Sequence, residues 1–532
     1  MATQQHTVPL NGGLVTNAAI ESIREGNVIA CTNFEPTLKG MERSSGYERF
    51  DGQPLASSIA TVTNTDGTID DTAREAQRAL IQPVPGSGAI LGLFMLNGTV
   101  YAFRNDASGT SAKLYKSSAA GWVLVTTPTL QPSGKYRTTI YNFKATAGTA
   151  KVYGVDGVNP PFEFDGSTFT QITHGAEPLQ PTSITAHAFH LFIGFKEGSI
   201  MHSETGNPLG WNVTNGAGEI GTGDAVTDLK SMVNDALLIM CKNKLNILYG
   251  TGAVDWQSAN VRPFQEGVGG LSDTVQLYGQ LTLYVDGISI KSIQAVTTFG
   301  NFAQGNVSTP IEDGLKQKLG KVIGSCVEYT KNQYRLFLEF GTNQTEVITL
   351  YIRDDGVPLF GRQVLGCRVS AITSGDKTDG SQGIYFGTTD GFVMAAESGT
   401  SQDGQPIEAT MLTAFSPCGG LTQRKRFKRV RIISEAADNV VFNIKPEFAS
   451  VNTGEFRSTS IKSLLIHKKA ELWGLASWGG FEWSETLINI GRASIDGNGI
   501  SIALVINNAS KYNTSFVVNS YLIEFIPRRG ER

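Results

Sequence analysis

Short runs of β-branched and aromatic residues alternate with Asp-Gly and Asn-Gly pairs along most of the chain. The runs 90–96 and 99–103 flank Asn97-Gly98, and the runs 384–389 and 392–394 flank Asp390-Gly391. Asx-Gly pairs supply the positive φ angles of tight turns, so the pattern predicts antiparallel hairpins. Such hairpins begin near residues 90, 148, 190, 236, 281, 334 and 384.

The spacing of these hairpins indicates a repeated unit. A period of roughly 40 to 50 residues is the length of a four-stranded propeller blade. Radial repetition also protects strand edges that would otherwise pair with other chains. The sequence therefore predicts an all-β fold with a β-propeller of six or seven blades. The alternative is a string of two or three separate β-sandwiches, which has the same short strands and glycine-rich turns.

The pattern divides the 532 residues into three parts. Residues 1–84 are predicted to be an N-terminal arm with one short helix at 70–81, which has an acidic start and ends before Pro83. Residues 85–400 are predicted to be the propeller. In residues 401–532 the hairpin repeat gives way to longer strands, which predicts an additional C-terminal β-sandwich-like domain.

The composition is that of a globular, weakly charged protein. Charged residues make up 17% of the chain, and 44 Lys and Arg against 48 Asp and Glu give a net charge of −4. A protein whose main task is to grip phosphates carries a basic excess, so general nucleic-acid affinity is not expected. No apolar run approaches the about 20 residues of a membrane-spanning helix, and the N-terminus lacks the pattern of a secretory signal.

Motifs for cofactor or metal chemistry are weak. The segment 216–221 has the glycine spacing of a dinucleotide-binding loop, but no helix is predicted after it. His187, His190 and His202 would suffice in number for a metal site, but His187 and His190 are three apart on a predicted strand, so we expect them on opposite faces and not around one metal. The five cysteines are widely spaced, which is typical of reduced thiols in a cytoplasm. We predict no catalytic residue, no cofactor and no metal.

One segment stands out by its charge. It holds six cations within eight residues of a net acidic chain. One interpretation is a solvated strand face with Phe427, Val430 and Ile432 packed inward. The other is an interface or DNA-channel patch that a symmetric oligomer repeats around its axis. The cations are Arg424, Lys425, Arg426, Lys428, Arg429 and Arg431.

Several short segments occur in an order that resembles a known family. They are Leu10–Asn17, Asn33–Leu38, Arg43–Tyr47, Leu191–Gly194, Met201–Pro208, Trp211-Asn212, Asn332–Phe337, Phe386–Gly391, Asp403–Ile407 and Lys425–Arg429. Together they resemble the tail nozzle, or packaged-DNA-stabilisation (tail tubular), proteins of short-tailed bacteriophages.

The resemblance implies a structural subunit of the virion tail, made in the host cytoplasm. Six copies would form a ring below the portal and head-tail adaptor, retain packaged DNA and conduct it during ejection. The implied partners are other copies in a hexamer, the adaptor and portal ring, tail fibres or a tail-tip protein, and passing double-stranded DNA in transient contact. The family contributes no catalytic residues.

Two other functions are compatible with a phage-tail propeller. A carbohydrate-binding or glycan-cleaving propeller would use Asp165 or Asp390 in a central cleft. A non-catalytic receptor-binding module would stack sugars on Trp473, Trp478 and Trp483, although these aromatic residues equally suit a core or a subunit interface.

Overall fold

The computed structural model describes residues 2–64, 69–146, 148–256, 260–295, 302–421, 423–449, 456–458, 460–466 and 488–528. The N-terminal elements are β1 Gln4–Pro9, β2 Val28–Thr32, β3 Phe34–Pro36, β4 Met41–Arg43, β5 Tyr47–Phe50, β6 Val62–Thr63, β7 Ile69–Asp70 and α1 Thr72–Leu80. Helix α1 confirms the helix expected at 70–81.

Seven blades of four antiparallel strands follow. Blade 1 consists of β8 Ser87–Leu96, β9 Thr99–Asn105, β10 Ala112–Lys116 and β11 Val123–Leu130, and blade 2 of β12 Arg137–Tyr141, β13 Lys151–Val155, β14 Phe162–Phe164 and β15 Phe169–Gln171. Blade 3 consists of β16 Ser183–His187, β17 His190–Gly194, β18 Ser199–His202 and β19 Gly218–Gly221, and blade 4 of β20 Val226–Ser231, β21 Ala236–Cys241, β22 Lys244–Tyr249 and β23 Val261–Glu266.

Helix α2 Glu312–Lys316 lies between blades 5 and 6. Blade 5 consists of β24 Gln276–Tyr278, β25 Leu281–Val285, β26 Ile290–Ala295 and β27 Phe302–Asn306. Blade 6 consists of β28 Val322–Glu328, β29 Gln333–Phe340, β30 Gln344–Ile352 and β31 Pro358–Leu365. Blade 7 consists of β32 Val369–Asp376, β33 Gln382–Thr388 and β34 Val393–Ala396, and the N-terminal strand β5 is its fourth strand. The chain is thus an all-β protein with a propeller, and the described strands give it seven blades.

Each interface between neighbouring blades has its own apolar core. Blade 7 packs against blade 1 through Ile90, Ala371 and Tyr385, which closes the ring. The other neighbours meet in the same way, and the core between blades 5 and 6 continues into the C-terminal domain. The circular arrangement therefore rests on repeated face-to-face burial of apolar side chains.

The C-terminal strands build a sandwich together with strands from the N-terminus. They are β35 Ile407–Thr413, β36 Lys425–Ala436, β37 Val440–Ala449, β38 Phe456–Ser458, β39 Lys462–Ile466, β40 Ile488–Gly499, β41 Ser501–Ser510 and β42 Phe516–Pro527. One sheet has the order β2-β35-β41-β37-β38, with β39 also on β37.

The other sheet of the sandwich is continuous with blade 6. Its order is β28-β29-β30-β31-β3-β4-β42-β36-β40, and β1 also pairs with β42. The first 84 residues, expected to be an arm, are thus divided between the two domains: β1 to β4 belong to the sandwich and β5 to blade 7. No helix in the described part of the chain is long and apolar enough to cross a membrane.

Candidate functional site

The basic segment lies at the start of β36, where alternation divides its side chains between two faces. Phe427, Val430 and Ile432 are fully buried, as expected for a strand that covers a core. Lys425 is buried as well, with only 1% of its surface exposed. Its Nζ donates hydrogen bonds to the carbonyl oxygens of Gly420 at 2.6 Å and Ile500 at 3.1 Å. Lys425 was a candidate for the patch, but it serves the fold instead.

The outward face keeps the remaining cations. Arg424, Arg426, Lys428 and Arg429 are exposed, because a bulge between Phe427 and Arg429 turns two successive side chains outward. Arg426 lies 3.2 Å from the exposed carboxylate of Asp496. An ion pair of this kind at the surface contributes little to stability.

Arg431 and Glu524 form an ion pair on this face. The Arg431 guanidinium donates to the Glu524 carboxylate, while Arg429 lies 3.8 Å from the same carboxylate. Arg492 is exposed on β40, directly across from Arg431, and extends the positive face. Arg492 is isolated in the sequence, and only the pairing of β36 with β40 brings it to the patch.

Three histidines meet at the boundary of blades 3 and 4. His187 and His190 are cross-strand partners, because the two-residue turn between them has positive φ at both positions. The expectation that they diverge is therefore wrong. The rings of His187, His190 and His202 lie 6.0, 4.6 and 5.1 Å from the ring of Trp256. Burial lowers the pKa of all three imidazoles, and that of His202 to about 4.

Neither aspartate considered for glycan chemistry lies in a central cleft. Asp165 is in the turn between β14 and β15, where the N–H groups of Ser167 and Thr168 donate to its Oδ1 at 2.9 and 2.7 Å. Slight burial opposes ionisation, but these hydrogen bonds outweigh it and lower the pKa of Asp165. Asp390 is in the turn between β33 and β34, and its carbonyl accepts from Arg104. A general acid of a glycosidase needs a raised pKa, so Asp165 does not suit that role.

Other candidate positions are settled by local structure. The glycines at 218 and 221 lie in strand β19, so no helix follows the dinucleotide-like spacing. The five cysteines are unbridged, and four of them are buried. Among the described residues, no group of His, Cys, Asp and Glu is arranged to hold a metal ion. Trp473, Trp478 and Trp483 lie outside the described residues.

A buried polar network joins the propeller to the sandwich. Arg335 on β29 lies 2.6 Å from Glu397 and 3.5 Å from Glu35, and Lys331 lies 2.8 Å from Glu397 and 3.3 Å from Glu35. Burial opposes the ionisation of Glu397, but the charges of Arg335 and Lys331 outweigh it and lower its pKa to about 2. Two cations and two carboxylates therefore offset one another where blades 6 and 7 meet β3.

Other residues from the phage-like segments complete the same junction. Arg43, which is 1% exposed, donates to the carbonyl oxygens of Ser510 at 2.6 Å and Asn513 at 2.7 Å. Asn33 donates to the carbonyl of Glu408 at 2.8 Å and accepts from the N–H of Val364 at 2.9 Å. The segments Asn33–Leu38, Arg43–Tyr47 and Asn332–Phe337 are distant in sequence, and all three contribute to this boundary.

A cavity of about 370 Å³ lies on the propeller axis. Residues next to or within the first strand of every blade line it, because that strand is the innermost in each sheet. Its charged residues are Lys135, Arg137, Asp228, Lys230 and Asp273. No motif in the sequence connects them, since each blade contributes at most two.

The two carboxylates of the cavity, Asp273 and Asp228, accept hydrogen bonds from different kinds of partner. Lys135 Nζ lies 2.6 Å from Asp273 Oδ2, and Arg137 donates to both oxygens of Asp273 at 2.5 and 2.9 Å. The N–H groups of Leu229 and Asp273 donate to Asp228. Burial and the neighbouring Asp273 charge raise the pKa of Asp228 to about 6, and burial lowers the pKa of Lys230.

Comparisons with known proteins identify no family for this chain. No protein-family model matches the sequence, and no curated protein matches it. Among solved structures, the chain is similar to the WD40 β-propeller domain of Doa1 at 12% identity, with 59% of this chain and 95% of that chain covered and a TM-score of 0.36. The chain is also similar to the computationally designed Ika8 protein at 11% identity, with 60% of this chain and 98% of that chain covered and a TM-score of 0.37. The structure of YCF48 bound to D1 peptide is similar at 12% identity, with 59% of this chain and 95% of that chain covered and a TM-score of 0.36.

Proposed function

We propose that this chain is a structural subunit of the tail of a short-tailed bacteriophage, where copies assemble into a nozzle ring that retains packaged DNA and conducts it during ejection. The observation that carries the proposal is the position of the phage-like segments. Three of them meet at the boundary between propeller and sandwich, where Glu35, Arg43 and Arg335 hold the domains together. Segments that determine how two domains are joined are a more specific basis for a resemblance than scattered surface loops.

The dimensions of the propeller require the conduit to lie between subunits. The axial cavity of about 370 Å³ is crossed by ion pairs between Lys135, Arg137 and Asp273. B-DNA is far larger, since its major groove alone is about 12 Å wide. A duplex therefore does not pass through one propeller, and a role in DNA passage demands a ring of several chains, with six expected from the resemblance.

The exposed cations of β36 provide a surface for assembly or for DNA in such a ring. A closed ring repeats Arg426, Lys428 and Arg429 once in each subunit, so a modest local charge becomes a belt around the axis. The net charge of −4 limits overall affinity for phosphates. Weak overall affinity suits a conduit, because each lasting phosphate contact retards a moving polymer.

Immunogold electron microscopy of particles from the source lysate tests this proposal. We expect an antibody against the chain to label the tail between the head and its distal tip. Labelling restricted to peripheral fibres or spikes would contradict the nozzle and favour a glycan-binding or glycan-cleaving tail protein. Absence of label from every particle would contradict a place in the virion, provided that the antibody detects the denatured protein in the same lysate.

A further inference from the structure

The axial cavity has the features of an anion site. All seven innermost strands are terminal strands of their sheets, so each has one edge without a strand partner in its own blade. Such an edge presents backbone N–H groups, together with C=O groups, to the axis. Hydroxyl groups that also line the cavity belong to Thr138, Thr139, Thr185, Thr373 and Ser374. The space is therefore rich in hydrogen-bond donors and large enough for a small ligand.

The charges in the cavity are unevenly matched. Asp273 is neutralised by Lys135 and Arg137, and Asp228 accepts two backbone N–H groups. Lys230 lines the same cavity two residues after Asp228, and the Asp228 charge acts on its ammonium group. Three cations and two carboxylates give the lining one excess positive charge. Because Asp273 is paired with Lys135 and Arg137, the only described carboxylate that Lys230 faces is that of Asp228, which already accepts two backbone N–H groups.

We propose that the propeller axis binds a small oxyanion, a phosphate, sulfate or carboxylate group, with Lys230 as its principal counter-charge. Arg137 and Lys135 neutralise Asp273 and contribute positive potential. The inner-strand N–H groups and threonine hydroxyls supply neutral donors. Lys230 is only partly exposed, so its ammonium group has lost part of its hydration, and a bound oxyanion supplies a charge-assisted hydrogen bond in its place.

This inference is independent of the proposed tail function, because it concerns the isolated chain. The test is isothermal titration of the full-length protein with sodium sulfate, inorganic phosphate and citrate at constant ionic strength. We expect saturable binding with one site per chain. Lys230→Met is expected to weaken binding about tenfold or more, since one charge-assisted contact is lost. Lys242→Met is the matched control, because Lys242 is exposed in the same blade and does not line the cavity.

Two further measurements keep the test independent of folding. Lys230→Arg retains the charge and is expected to retain binding, which separates loss of the counter-charge from loss of the fold. Bound sulfate is also expected to slow reductive methylation of Lys230, followed by peptide mass spectrometry, with no effect on Lys242. Absence of saturable binding by all three anions, or equal loss in the Lys230→Met and Lys242→Met variants, would overturn the proposal. Preference for citrate over phosphate and sulfate would assign the site to carboxylates.

Discussion

Phe50 in the N-terminal β5 pairs with Val393 in β34, so the last blade is completed by the start of the chain. The Phe50 ring also lies 4.7 Å from that of Tyr385, in the apolar cluster that closes blade 7 on blade 1. Closure of the ring thus depends on a contact between residues far apart in sequence. The pairing completes blade 7, which packs against blade 1 and so closes the propeller.

We expect Phe50→Ala to lower the free energy of unfolding by about 2 kcal/mol, because a half-buried ring leaves the closing blade. Urea denaturation followed by tryptophan fluorescence measures the change. Val62→Ala serves as the control, since Val62 is 62% exposed and its truncation is expected to change stability by less than about 0.5 kcal/mol. Equal effects of the two substitutions would contradict closure through β5.

Arg335→Met is expected to destabilise the protein by about 3–5 kcal/mol. The substitution leaves Glu35 and Glu397 facing each other with only Lys331 to offset their charge, and an uncompensated buried charge costs that amount. The double variant with Glu397→Gln is expected to recover part of the loss. If the double variant is no more stable than Arg335→Met alone, Arg335 does not act by neutralising these carboxylates.

Stability is expected to fall as the pH is lowered from about 6.5 toward about 4. The folded protein holds His187, His190 and His202 with lowered pKa values, whereas the unfolded chain protonates them near pH 6.5. The unfolded state then binds more protons, so acid favours unfolding by up to about 1.4 kcal/mol per pH unit for each histidine. His202→Phe is expected to reduce this slope in urea melts between pH 4.5 and 7.5, and an unchanged slope would contradict a contribution from the buried histidines.

Reversing the exposed charges of β36 tests the basic face. We expect Arg426→Glu, Lys428→Glu and Arg429→Glu together to leave the circular dichroism spectrum of the isolated subunit intact, because these side chains are exposed. Particle assembly or DNA retention is expected to fall at least about tenfold, since each ring loses this charge in every subunit. The matched control reverses Lys242 in blade 4. Normal infectivity of the triple variant would remove the patch from the proposed function.

The repeating parts of the fold were predictable from the sequence because their signals are local. Asn97 and Gly98 adopt φ angles of 50° and 75°, as an Asx-Gly hairpin requires. The number of blades was not fixed in this way, because β5 completes blade 7 from across the chain. The turn Ala188-Phe189 also has positive φ without asparagine or glycine, so the pairing of His187 with His190 carried no local signal.

The candidate site was predictable only in part. The apolar character of Phe427, Val430 and Ile432 correctly predicted that they pack inward, although Phe427 and Val430 share a face only because of the bulge between them. Alternation from Phe427 implies that Lys425 is buried with them. Arg492 joins the face through strand pairing alone. Lys230 and Asp273 line one cavity only because blades 4 and 5 direct their first strands toward one axis. A cavity made from single positions of many repeats leaves no contiguous motif.

Because β42 pairs with β1, β4 and β36, the sandwich cannot be completed during translation until β42 has been made. A ribosome releases every propeller strand, including β5, by residue 396, so the ring can close while translation continues. The sandwich must wait for β42, which follows every propeller strand in the chain. Until then Val8 and Met41 lack their partner strand β42. These apolar residues are then exposed on neighbouring nascent chains of one polysome, where they favour association. We therefore expect truncation before β42 to yield a closed propeller that aggregates through its unfinished half.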